Sequence, residues 1–169
     1  MRPLFGVLAG AAATVPMTAV IVLGRMAFAR WMAPPEQITS KVAERVGFNP
    51  NEESTEFELG WIAAHFGYGA ACGAIYSVVR PVRPGSVTTN GLIFGELVWG
   101  VSYLGYIPAL GLYPWPKDDS RTRMGVMIAA HAVFGIVTAQ IELAFSRIGE
   151  EPDCYVTIQP PQELVSRRA

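Results

Sequence analysis

Three ionisable residues lie deep inside long apolar stretches of this sequence: His65, Glu96 and His131. An ionisable group in such surroundings is costly and points to a partner or a function. The two histidines are the only ones in the chain. Imidazole titrates near neutral pH, and its nitrogens can hold a proton or ligate a metal. Helical spacing enlarges the group. His65, Tyr68, Cys72 and Tyr76 share one helix face; Glu96, Trp99, Tyr103 and Tyr106 share another. His131, Phe134, Thr138 and Glu142 line up on a third.

Several chemistries fit an intramembrane polar cluster of His65, Tyr68, Glu96, Tyr103 and His131. The simplest is an interhelical hydrogen bond, worth about 0.6–2 kcal/mol in a bilayer. A second is a cofactor held by both histidines. Matched imidazoles on parallel helices are the arrangement of a bis-histidine haem b, with Arg25, Arg30 or Arg123 meeting its propionates at the surface. A third is a metal site of His65, His131 and Glu96, ligands acceptable to zinc, copper or iron. A proton or small-ion pathway through Glu96, or a quinone or lipid pocket, completes the set. The spans carry no lysine, which excludes a retinal-type Schiff base on this chain. Glycine-rich phosphate loops, GxSxG elbows and HExxH zinc motifs are absent.

The elements that must position these residues follow from how the apolar residues are distributed. The chain has 169 residues, is 51% hydrophobic and only 16% charged, with a net charge of -1. This balance and the lack of a basic run argue against nucleic acid as a partner. The apolar residues fall into four blocks, about Leu4–Gly24, Phe57–Val79, Val87–Ile107 and Met124–Phe145. Each is close to the ~20 residues that cross a hydrocarbon core as a helix. The expected fold is therefore all-α: a polytopic membrane protein of four transmembrane helices in one domain over 1–145. The first block is read as a retained span, because its apolar run exceeds that of a signal peptide. The segment 146–169, with Pro152, Pro160 and Pro161, is expected to be extended or disordered. Cys72 and Cys154 form neither a disulfide framework nor a CxxC motif.

Four spans put both termini on one side. Basic residues are nearly balanced between the two sides. Arg80 and Arg83 in a short link favour cytoplasmic termini. Between the first two spans, Pro35–Val46 reads as a short amphipathic helix, with Ile38, Val42 and Val46 four apart. It is expected to pack on the rim of the bundle or lie on the lipid surface, the alternative being a lid or docking site. The loop Gly111–Pro116 is expected to anchor at headgroup level.

The chain also repeats itself. Ile62-Ala63-Ala64-His65 recurs as Ile128-Ala129-Ala130-His131, each followed by an aromatic residue and glycine, Tyr68-Gly69 and Phe134-Gly135. A weaker echo links Gly6 and Gly10 to Gly91 and Gly95. The spans thus read as two repeated helical hairpins, related by an axis along the membrane normal. Glycines four apart, Gly6/Gly10, Gly69/Gly73 and Gly91/Gly95, let backbones approach closely and predict a bundle of little internal volume. Counted from the start of their blocks, the histidines lie roughly 11–12 Å below one surface and Glu96 roughly 17 Å, so the three can share a layer.

The IAAH repeats, the stretch GELVWGVSYLG from Gly95 and the loop LGLYP from Leu110 resemble the YagU-like group of small bacterial inner-membrane proteins. The likeness spans roughly Leu4–Phe145. It implies a four-helix inner-membrane protein and assigns no activity to any residue. The expected function is non-catalytic: an accessory subunit of a membrane complex, or a homo-oligomer, with the bilayer and other subunits or itself as partners. A haem b or transition metal on His65 and His131 is the rival.

Overall fold

The computed structural model describes residues 2–28, 32–49, 51–79 and 86–149. Arg30, Arg80, Arg83, Cys154 and the expected tail beyond Gly149 lie outside them. All regular structure among the described residues is helical. It comprises α1 (Arg2–Phe28), α2 (Pro34–Arg45), α3 (Thr55–Val79), α4 (Val87–Val101), a π-helical turn at Ser102–Tyr106, α5 (Ile107–Ala109), a 3-10 turn at Pro116–Asp118, and α6 (Arg121–Gly149). Four helical stretches, Pro3–Phe28, Thr55–Val79, Val87–Ala109 and Arg121–Arg147, are long and apolar enough to cross a membrane. The architecture is that of a multi-pass membrane protein.

Local sequence sets where the helices begin. Ser54 receives the Phe57 N–H on its hydroxyl, and Glu56 and Glu58 favour the positive end of the α3 dipole. Ser86 caps α4 by accepting the Thr89 N–H. Near the end of the third span, Pro108 lacks an N–H and its ring crowds the preceding turn. The helix widens there into the π-turn, a form often found at functional positions.

The spans pair as two hairpins. α1 packs on α3, α4 packs on α6, and the hairpins join along α1 and α6. Glycine makes both crossings possible. A methyl group added at Gly10 would strike the Gly69 carbonyl, and one at Gly95 would strike the His131 carbonyl. Likewise Gly6 sits against the Gly73 carbonyl and Gly91 against the Gly135 carbonyl. These contacts correct the expected correspondence between the repeats. Sequence equates Gly69 with Gly135, yet Gly10 faces Gly69 whereas its counterpart Gly95 faces His131. The second hairpin is slipped by one helical turn, so His131 lies at its crossing and His65 one turn beyond its own.

α3 and α4 meet across the remaining side of the bundle through side chains. Tyr76 and Phe94 touch edge to face at 4.9 Å, and the Tyr106 hydroxyl donates to that of Tyr68 at 2.9 Å. This bridged gap is where the expectation of little internal volume fails: the glycine crossings are tight, but the bundle opens beside them.

Candidate functional site

A cavity of about 300 Å³ opens between the hairpins, at the end where α3 and α6 begin. That volume is at the lower end for small-molecule sites. Ala64, His65 and Tyr68 line it from α3, and Met127 and His131 from α6. Trp99, Ser102, Tyr103 and Tyr106 reach it from α4 and the π-turn. Both histidines lie ten residues into their helices, roughly 15 Å from the helix starts. A second void of about 10 Å³, one water in size, shares Met17, His65, Tyr68 and His131 with the first.

α2 is the roof. Pro34, Pro35, Ile38 and Thr39 close the cavity, and Leu112 and Tyr113 close it from the loop after the third span. The expected apolar stripe of α2 therefore divides. Ile38 faces the cavity, while Val42 and Val46 are exposed, as is Phe48 beyond the helix. Polar ties hold the roof in place. Arg25 Nη1 donates to Glu36 Oε1 at 2.7 Å, Glu36 Oε2 accepts the Ala33 N–H at 3.0 Å, and the Ser40 hydroxyl donates to Glu52 at 2.8 Å.

The loop Gly111–Pro116, expected at headgroup level, also turns towards the cavity. Trp115 is exposed, but Tyr113 is buried and turned inward. The Tyr103 hydroxyl donates to Asp119 Oδ2 at 2.6 Å, and Arg123 Nε donates to Asp119 Oδ1 at 2.6 Å. The Arg123 guanidinium lies 5.6 Å from the Tyr113 ring centroid, within cation–π range. Burial pushes the Asp119 carboxyl up. Hydrogen bonds from Arg123, Tyr103 and the Ser120 N–H outweigh it and hold the group below the ordinary carboxylate range. Burial raises the Tyr113 hydroxyl above the usual tyrosine range.

The hydrogen-bond inventory of the cavity is incomplete in a specific way. His131 Nδ1 pairs with the Met127 carbonyl at 2.8 Å, and since a carbonyl only accepts, Nδ1 carries the proton. In the neutral ring this leaves Nε2 as an acceptor. Three buried polar atoms have no hydrogen-bond partner among the described residues: His65 Nε2, Trp99 Nε1 and the Tyr113 hydroxyl, which lies near Asp119 without a well-formed bond. All three residues line the same cavity. A buried polar atom left unpaired costs about 1–3 kcal/mol. Three residues that carry such atoms line one apolar space.

Of the residues picked out by sequence, His65, Tyr68, Tyr103 and His131 converge here, and Glu96 does not. Glu96 is partly buried on α4 and lines neither void. The three-residue metal set is therefore not assembled, and no group of three His, Cys, Asp or Glu is placed to hold a metal among the described residues. Two of the proposed propionate partners are already engaged, Arg25 with Glu36 and Arg123 with Asp119. Sequence reasoning missed Tyr113 and Asp119, and it placed Trp99 on a face without a role. The one available signal was the density of aromatic residues around the Pro108 kink.

No family model, curated protein or solved structure matches this chain.

Proposed function

We propose that this chain is a non-catalytic membrane protein that binds a small, largely apolar molecule carrying a hydrogen-bond acceptor. The observation that supports the reading is that three residues bearing unpartnered buried polar atoms, His65, Trp99 and Tyr113, all line one apolar cavity. Trp99 Nε1–H can only donate, so the guest must offer an acceptor; His65 Nε2 can donate or accept. Tyr68 and Tyr106 line the cavity and are also exposed on the α3–α4 side, which gives a guest a lateral route from lipid.

The test compares naphthoquinone with naphthalene, which has the same ring system and no acceptor, on protein in lipid nanodiscs. The quinone is expected to bind about tenfold more tightly, from a hydrogen bond to an otherwise unpartnered group. Trp99→Phe and His65→Leu together erase that preference. Equal binding of the two compounds to the unaltered protein sinks the proposal.

A second reading, a metal or haem held by His65 and His131, is favoured by the His131–Met127 bond. Metal-ligating histidines commonly donate their other ring nitrogen to a backbone carbonyl. An absorption spectrum and elemental analysis of protein purified from its own membrane test it; a colourless, metal-free, folded preparation speaks against it. We further propose membership of the YagU-like group, a bacterial inner-membrane location and cytoplasmic termini, on the motifs and on Arg80 and Arg83. Reporter fusions at the C-terminus test the orientation.

A further inference from the structure

The third span, Val87–Ala109, which α4 begins, is the least covered of the four: 22% of its most apolar stretch is buried, against 33–44% in the others. Ile93, Leu97 and Val101 are exposed along it. Glu96 stands in its middle, roughly 14 Å along the helix from Val87 and roughly 20 Å from Ala109. It is partly buried and has no hydrogen bond or ion pair among the described residues. One turn on, Gly100 faces open space, with no atom within 4 Å of where a Cβ would stand. Lipid alone would leave this carboxylate unpaired in hydrocarbon, a costly state.

We infer that the Glu96 face of α4 docks a transmembrane helix of another chain that carries a lysine or arginine at mid-depth. Charge complementarity decides between occupants. The basic residues of this chain's own spans sit only at their ends, Arg25, Arg121, Arg123 and Arg147, so a second copy brings no cation to mid-membrane. Gly100 lets the partner backbone come close enough for its side chain to reach the carboxylate, as small residues do at membrane helix contacts. The site is independent of the ligand cavity, whose lining does not include Glu96.

The full chain, labelled with a fluorescent donor, is reconstituted in vesicles with acceptor-labelled synthetic helices of about 20 apolar residues. One helix carries a single central lysine and the other leucine in its place. The lysine helix is expected to associate about threefold to thirtyfold more strongly, from the strength of interhelical polar contacts in bilayers. Glu96→Gln removes that preference while keeping size and shape, and unchanged helical circular dichroism confirms that the variant is folded. Equal association of both helices, or a preference that survives Glu96→Gln, overturns the inference. So does transfer between copies of the chain that disappears in Glu96→Gln, which assigns the face to self-association.

Discussion

His65 and His131 occupy the same place in a repeated sequence and differ in bonding: one has an unpartnered Nε2, the other is oriented by the Met127 carbonyl. The difference predicts opposite effects on stability and binding. His65→Leu deletes an unpaired buried nitrogen, so the ligand-free protein is expected to gain about 1 kcal/mol in thermal unfolding while binding weakens. A loss of several kcal/mol instead would mean that Nε2 is satisfied. Asp119 gives a pH prediction. Its folded-state carboxyl titrates below the unfolded value of ~3.9, so its contribution is present above about pH 4 and is lost as pH falls through the folded-state value. Unfolding midpoints should therefore drop below about pH 4, and Asp119→Ala should flatten that drop while costing about 3 kcal/mol at neutral pH. A pH profile identical in the variant would show that other carboxylates dominate. His65, Tyr68, Tyr103 and His131 were legible because each follows helical spacing within an apolar block. Asp119 and Tyr113 were not, because a loop's path through space has no period in the sequence.

The elements were the most legible level, since an apolar block of bilayer length has few alternatives to a helix. All four spans and the α2 helix fall within a few residues of where hydrophobic blocks and caps put them. Hairpin register was not legible. Glycines at equal spacing in two repeats do not say which carbonyl each one faces, and only three-dimensional packing reveals the slip. That packing makes two glycines of α4 behave oppositely. Gly95→Ala forces a methyl group into the His131 carbonyl and is expected to cost about 1–3 kcal/mol. Gly100→Ala meets nothing and is expected to be neutral or to stabilise by up to about 1 kcal/mol through helix propensity. Denaturation in mild detergent separates the two, and equal costs would show that the α4–α6 crossing is looser than described. The α2 roof is a weaker element. Arg25 is a third exposed, so Glu36→Gln should cost no more than about 1 kcal/mol globally. Its effect should concentrate in faster hydrogen exchange over Pro34–Arg45, and uniform protection there would dismiss the ion pair as a tie.

At the scale of the whole molecule, the bundle is tight where glycines cross and open where aromatic and hydroxyl side chains face one another across the α3–α4 gap. Composition could anticipate the first property only. Volume is set by how helices splay, and the π-turn before Pro108 helps turn Tyr103 and Tyr106 into the space. The unlike bonding of the two histidines has a spectroscopic consequence. They are two chemically distinct reporters in one protein: a ring whose proton is fixed on Nδ1 by the Met127 carbonyl and a ring whose Nε2 has no partner among the described residues. Two resolved nitrogen-15 histidine signals, of which only one moves when the cavity is filled, would make this chain a sensor of its own occupancy without any added label.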